Sequence, residues 1–171
     1  MLRWVVFPML LLACGHPPAV ATETPKPARA RGSFELKVSP VPLDVGTDPP
    51  FGKVSIERQF RGDLEGPSEG IMLYSGNPKG GPAGYVALER FAGTLHGRRG
   101  SFVLQHRGSM SAGAMESDIK VVPGSGTDDL VGLSGRMTIH IVGKNHSYEL
   151  DYALTEPRPL APVSLAGTPA R

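Results

Sequence analysis

Residues 54–66, VSIERQFRGDLEG, decide the fold of this chain. Val54, Ile56 and Phe60 alternate with polar residues, which is the two-residue period of a β-strand with one buried face. The stretch then enters a short segment bounded by Gly62 and Gly66, whose composition is typical of a hairpin turn. A strand followed at once by a tight turn predicts an antiparallel partner.

The same alternation recurs along the chain and predicts seven further strands. They lie at 34–38, 69–75, 84–92, 100–107, 114–122, 137–141 and 148–154. Short glycine-bearing segments at 93–97, 123–126 and 143–145 are typical of hairpin connections, whereas 77–82 and the proline-rich 39–52 are predicted as longer loops. Closing eight antiparallel strands on themselves removes both sheet edges. We therefore predict an all-β chain folded as a closed, antiparallel, eight-stranded barrel, with a two-sheet sandwich as the alternative.

Composition supports this class and excludes others. The 171 residues include 22 glycines and 17 prolines, the two residue types least compatible with helix interiors, so a helical bundle is excluded. A hydrophobic content of 40% is enough for one core and argues against a wholly disordered chain. The formal net charge is only +2, and the positive excess lies in the terminal segments, so we expect no nucleic-acid partner.

The N-terminal segment has the features of an export signal. Arg3 precedes the apolar run 4–13, which is too short for a transmembrane helix and typical of a signal peptide. Two cleavage positions compete: an Ala-x-Ala site at 19–21, and a lipobox at 11–15 in which Cys14 becomes lipidated and attaches the protein to a membrane. A buried N-terminal strand is the alternative to a signal. Cys14 is the only cysteine, so no intrachain disulfide can form.

These features divide the chain into four segments. We predict a signal segment at 1–21, a proline-rich linker at 22–31, the β-barrel domain at 32–155 and a disordered tail at 156–171. The protein is therefore expected outside the cytoplasm, as a periplasmic or cell-surface lipoprotein or as a secreted protein.

Five phrases of the barrel segment carry a family resemblance. They are FRGDLEG at 60–66, ALERFAGTLHG at 87–97, GSFVLQHRG at 100–108, VVPGSGT at 121–127 and YELDY at 148–152. Together they resemble the bacterial DUF3224 family of uncharacterised proteins over residues 32–155. The resemblance implies a barrel like that of plant allene oxide cyclase and implies no reaction, because the family has no established catalytic residues. The loop 39–52 is longer and richer in proline than the family pattern, and the signal segment is an addition to it.

Three polar residues occupy positions that the alternation assigns to apolar faces: Arg58, Glu89 and His106. A charge buried alone is costly, so these groups should pair inside the barrel. We predict that they contact the polar head of a ligand, with Tyr85 near the mouth. If the alternation is shifted by one residue, Gln105 replaces His106 and Arg90 replaces Glu89.

Three functions remain open from the sequence. The first is a barrel that binds a small, mostly apolar ligand through these polar residues. The second is a structural or interaction protein of the cell envelope, in which the polar residues only set the register of the sheet and the loops make the contacts. An isomerase-type enzyme, in which Glu89 and His106 move protons, follows from fold analogy and is the least favoured. No nucleophile motif, phosphate loop or metal-binding histidine spacing occurs, so we expect no cofactor and no metal. The oligomeric state is not predicted.

Overall fold

The structure, a computed structural model, describes residues 27–43, 51–77, 81–111 and 114–155. They form the strands β1 (Ala28–Val41), β2 (Phe51–Gly62), β3 (Leu64–Gly76), β4 (Ala83–Leu95), β5 (Arg98–Ser111), β6 (Ala114–Val121), β7 (Leu133–Val142) and β8 (Asn145–Leu154), with one 3₁₀ turn at Asp128–Leu130. Each strand pairs antiparallel with the next, and β8 pairs with β1. The predicted closed, eight-stranded antiparallel barrel is confirmed. No helix among these residues has the length and apolar character needed to cross a membrane.

The barrel begins earlier than its predicted boundary at residue 32. β1 starts at Ala28, so the end of the predicted linker is part of the sheet. Ala30 is fully buried inside the barrel, and Arg29 points outward to an ion pair with Asp151 on β8. The alternation is present in this segment, but its inward residues are only alanines, which carry too little apolar signal to predict a strand.

Two predicted connections differ in the structure. β1 continues to Val41 and β2 begins at Phe51, so strands occupy both ends of the predicted loop 39–52. Residues 123–126 are not a hairpin, because they open a longer connection that contains the 3₁₀ turn and whose Thr127 amide donates to the Ser101 carbonyl of β5. The predicted signal segment with Cys14, most of the linker and the C-terminal tail lie outside the described residues.

The lower half of the barrel, at the end where β2 joins β3 and β4 joins β5, is packed with apolar side chains. The Phe60 ring is fully buried, with centroids 5.2 Å from Tyr148, 5.4 Å from Phe34 and 5.8 Å from Phe91. Leu130 of the 3₁₀ turn is also fully buried in this core. Rings at such separations contribute beyond their buried area, so these contacts stabilise the lower half of the barrel.

Each tyrosine of the chain faces a glycine on the neighbouring strand. The four pairs are Gly32 and Tyr148, Gly52 and Tyr74, Gly108 and Tyr85, and Gly135 and Tyr152. A Cβ at any of these glycines would lie 3.0 Å or less from an atom of the tyrosine, closer than van der Waals contact, and in three of the pairs it would overlap the aromatic ring or its hydroxyl. The missing side chain leaves room for a large ring inside a narrow barrel.

Among the residues that the structure describes, the wall is most weakly paired between β6 and β7, a boundary here called the seam. The two strands form only the pairs Ile119 with Met137 and Lys120 with Arg136. Above these pairs the described residues 116–118 and 138–140 form no ladder pairs with one another, whereas β4 is paired along its whole length with β5 and along most of its length with β3. The upper half of the barrel is therefore open at its mouth and loosely closed along this side.

Candidate functional site

The upper half of the barrel contains a cavity of about 180 Å³, here called the upper cavity. Its walls include four apolar side chains that face the barrel interior: Leu36, Val38, Ile139 and Ile141. Val38 is nevertheless 47% exposed and Ile141 52% exposed. Apolar side chains on the inner face of a barrel are exposed only where nothing fills the space between them. The upper half is therefore unfilled, in contrast to the aromatic lower half.

Three polar groups meet Glu89 at the floor of the upper cavity. The Glu89 side chain is fully buried and accepts hydrogen bonds from Arg58 Nη1 and from Ser68 Oγ. His106 Nε2 lies 3.0 Å from Glu89 Oε2, but the ring is turned so that this contact is not an aligned hydrogen bond. We call these four residues the Glu89 cluster. It brings together side chains from β2, β3, β4 and β5.

The charge state of Glu89 follows from its neighbours. Burial by itself would raise the pKa of its carboxyl, but the contact with His106 and the positive charge of Arg58 outweigh burial and hold the pKa at about 2. Glu89 is therefore ionised at any physiological pH. A general base works best with a pKa near the working pH, so Glu89 serves as a fixed counter-ion and is a poor proton acceptor.

Arg58 keeps one donor free for another partner. Its side chain is 9% exposed, its guanidinium lies 5.1 Å from the Phe34 ring centre, and Nη1 is used by Glu89. Its Nε–H is buried and has no acceptor among the described residues. A guanidinium nitrogen can only donate, and Arg58 lines the cavity, so its unpartnered Nε–H calls for an oxygen acceptor.

Tyr85 forms part of the cavity wall above the cluster. Its ring packs over Gly108, where a Cβ would lie 2.5 Å from the ring. Burial raises the pKa of the Tyr85 hydroxyl, opposed by the charge of Arg58 and by the Ser117 side chain. The hydroxyl therefore remains protonated at neutral pH and adds a polar group to the wall above the Glu89 cluster.

The structure places the sequence-predicted residues as follows. Arg58, Glu89 and His106 lie together on the inner face, and Tyr85 lines the same cavity. Gln105 is exposed on the outer face of β5, so it does not belong to the cluster. Arg90, the alternative to Glu89, is likewise exposed on the outer face. In strands 84–92 and 100–107 the interior face is therefore the one that carries Glu89 and His106.

Two residues of the site were missed in the sequence. Ser68 and Gly70 lie on the inner face of β3, at positions where the alternation predicts apolar side chains. Gly66 and Pro67 interrupt the pattern just before them, so the predicted strand began only at residue 69 and left out Ser68. The one signal that could have identified Ser68 and Gly70 is their two-residue spacing from Met72, which lines the upper cavity on the same strand. Within the described residues, no group of three or more histidine and carboxylate side chains is placed to hold a metal ion.

Comparison with known proteins supports the barrel and leaves the chemistry open. A family model described as a protein of unknown function, DUF3224, matches residues 30–152. A crystal structure of a protein with unknown function from the DUF3224 family of Shewanella oneidensis MR-1 is 39% identical and superposes with a TM-score of 0.71. The match covers 77% of this chain and 99% of that one. No curated protein matches the chain significantly.

Proposed function

This chain belongs to the DUF3224 family of proteins of unknown function, and from that premise we propose that its barrel is an exported module that binds one small, mostly apolar ligand in the upper cavity. The observation that carries the proposal is the contrast between the two halves of the interior. The lower half is filled by its own aromatic side chains, whereas the upper half leaves inward-facing apolar residues uncovered around a polar floor. Apolar walls with a few convergent polar groups are the usual composition of a small-molecule site.

The size of the cavity limits the ligand. A cavity of about 150 Å³ accommodates benzene, so the 180 Å³ of the upper cavity suits a ligand of about six to nine non-hydrogen atoms. A longer ligand would extend through the mouth past Val38 and Ile141, whose exposed side chains supply an apolar path.

The isoleucines of the chain make a direct test available. Isoleucine occurs at five positions. Four of them line the upper cavity (Ile56, Ile119, Ile139 and Ile141), and Ile71 lies on the outer wall. With ¹³C-labelled isoleucine methyl groups, titration with toluene is expected to move the four cavity signals in a saturable way and to leave Ile71 in place.

Matched variants make that test specific. Ile139→Trp is expected to fill the cavity and abolish the toluene shifts, while Leu88→Trp on the outer wall leaves them unchanged. Shifts of equal size at Ile71 and at the cavity signals would mean non-specific contact and contradict the proposal. Native mass spectrometry of protein purified from its own host then measures the mass of the natural ligand.

Export is the second part of the proposal and rests on the sequence of residues 1–21. The features that support it are Arg3, the apolar run 4–13 and the two cleavage motifs. We expect a mature chain that begins at a lipidated Cys14, which the intact mass of the protein from its host measures. A mature chain that begins at Thr22 and carries no lipid would support export and contradict the membrane anchor. A mature chain that still contains Arg3 would contradict export.

A further inference from the structure

We propose that the ligand of the upper cavity carries an uncharged oxygen acceptor, of the carbonyl type, as its polar head, and that Arg58 Nε–H donates a hydrogen bond to it. This inference rests on the proposed function, because it specifies the chemical class of the ligand in the same cavity. Under this proposal, fully apolar molecules, ionised carboxylic acids and amines all bind more weakly than carbonyl compounds of the same size.

The hydrogen-bonding balance of the floor supports an acceptor. Glu89 already receives Arg58 Nη1 and Ser68 Oγ, so the carboxylate is occupied by groups of the protein itself. Arg58 Nε–H is buried and without an acceptor among the described residues, in a side chain that is 9% exposed. Buried donors in folded proteins are almost always satisfied. A ligand oxygen over the floor satisfies this donor, whereas a hydrocarbon leaves it unpaired.

The charge balance of the floor supports an uncharged head. Arg58 and Glu89 neutralise each other, with His106 and Tyr85 as the remaining titratable groups that face the cavity. A carboxylate would add an uncompensated negative charge next to Glu89 in a largely apolar space. An ammonium group would be placed against the Arg58 guanidinium and would find its natural partner, Glu89, already occupied. A carbonyl oxygen accepts the hydrogen bond without changing the net charge.

The shape of the cavity fixes the orientation of such a ligand. Arg58 and His106 of the Glu89 cluster line the floor of the cavity, whereas its other lining residues include Leu36, Val38, Ile139 and Ile141 toward the mouth. The carbonyl is therefore expected at the floor and the hydrocarbon part toward the mouth. A single ring with a short acyl group has the size that the cavity accepts.

Four probes of nearly equal size separate these alternatives: acetophenone, ethylbenzene, benzoate and 1-phenylethylamine. Titrated at pH 7 into the full-length protein with labelled isoleucine methyl groups, acetophenone is expected to bind about tenfold more tightly than ethylbenzene. Benzoate and the amine are expected to bind at least as weakly as ethylbenzene. Equal affinity for acetophenone and ethylbenzene, or tighter binding of either charged probe, would overturn the proposal.

Variants of Arg58 test the residue itself. Arg58→Lys keeps a positive charge beside Glu89 and removes the Nε donor, so the preference for acetophenone should fall toward unity while ethylbenzene affinity stays within about threefold. Arg90→Lys, on the outer face, is the control and should change neither affinity. If Arg58→Lys does not fold, the charge-neutral pair Arg58→Met with Glu89→Gln replaces it, with the same expected loss of preference. If either variant keeps the full preference for acetophenone, a group other than Arg58 Nε–H binds the carbonyl oxygen of the ligand.

The outcomes for the two proposals differ. If none of the four probes moves the cavity isoleucines up to its solubility, the proposed binding function is wrong and this inference falls with it. If the probes bind but without a preference for acetophenone, only the head-group assignment is wrong.

Discussion

Gly70 and Glu89 face each other across β3 and β4, and a Cβ at Gly70 would lie 2.8 Å from the Glu89 Cα and 2.5 Å from the Leu88 carbonyl oxygen. The absence of a side chain at Gly70 therefore determines where Glu89 sits. From that position Glu89 reaches Ser68 beside it and Arg58 two strands away. A glycine in the wall is thus a condition for the polar floor.

Gly70→Ala is expected to destabilise the protein by about 1–3 kcal/mol, because the added methyl group must displace backbone atoms of β4. Gly84→Ala is the matched control in the same sheet. A Cβ there would meet only the Gly108 carbonyl oxygen, at 3.9 Å, so the change should be neutral or slightly stabilising. Urea unfolding measures both. Equal effects at the two glycines would contradict the steric role of Gly70.

Glu89→Gln should destabilise the protein by about 3 kcal/mol, since it leaves the charge of Arg58 buried without its partner. The same substitution in the exposed pair of Lys37 with Glu57 should change the stability by less than about 0.5 kcal/mol. In a double-mutant cycle, Arg58→Met should cost less in the Glu89→Gln background than in the wild type, with a coupling of about 2 kcal/mol. Additive effects of the two substitutions would mean that the ion pair does not contribute to folding.

We expect the titration of Glu89 to make the unfolding free energy of the protein depend on pH in the acidic range. Its pKa is about 2 in the folded protein, below the ordinary 4.5, so the ionised form is favoured by folding. The stability that it adds is complete above about pH 4.5 and is lost as the pH falls toward 2. Between pH 5 and 2.5, the wild type should lose about 2 kcal/mol more than Glu89→Gln, which has no carboxyl to titrate. Parallel losses in the two proteins would exclude this linkage.

The hydroxyl of Tyr148 supports the start of β3. It accepts a hydrogen bond from the buried Leu64 amide at 2.8 Å. Tyr148→Phe leaves that amide unpaired, and the expected loss is about 1–3 kcal/mol in chemical unfolding. Tyr152→Phe removes a hydroxyl that lies 2.8 Å from the partly exposed His96, where water can take its place, so its effect should be smaller. The reverse order would be inconsistent with these contacts.

The seam between β6 and β7 should be the first part of the wall to open. In β7, alternate amides point toward β8 and toward β6, and those that face β6 above Met137 have no register partner there. Hydrogen exchange followed by NMR should therefore show every second amide of 138–142 exchanging fast, while the amides of β4 exchange slowly. Uniform protection along β7 would contradict an open seam.

The fold was largely predictable because a two-residue alternation and glycine-bearing turns are local properties of the chain. Phe34, Phe60 and Tyr148 each indicate a buried face because they alternate with polar neighbours. Several strands are nevertheless longer than predicted, and two of these extensions lie where the local signal is weak. At Ala30 the inward side chain is too small, and around Pro67 the pattern is interrupted.

The site was predictable only in part. Parity placed Arg58 on an inner face, but 84–92 and 100–107 are apolar on both faces, so the sequence allowed Arg90 and Gln105 as well as Glu89 and His106. Register across the closed sheet decided between them. It could not be inferred locally, since it depends on pairing with strands that are far away in the chain.

By itself, the sequence determined the strands, their turns and the presence of three polar residues among apolar ones, because each is encoded within a few neighbouring positions. Only the tertiary structure decided that these residues share one carboxylate, that Arg58 Nε–H lacks an acceptor among the described residues, and that the lower half of the interior is filled while the upper half is open. The reason is that filling, pairing and exposure are properties of side chains brought together from several strands, and the closure of the barrel is what brings them together.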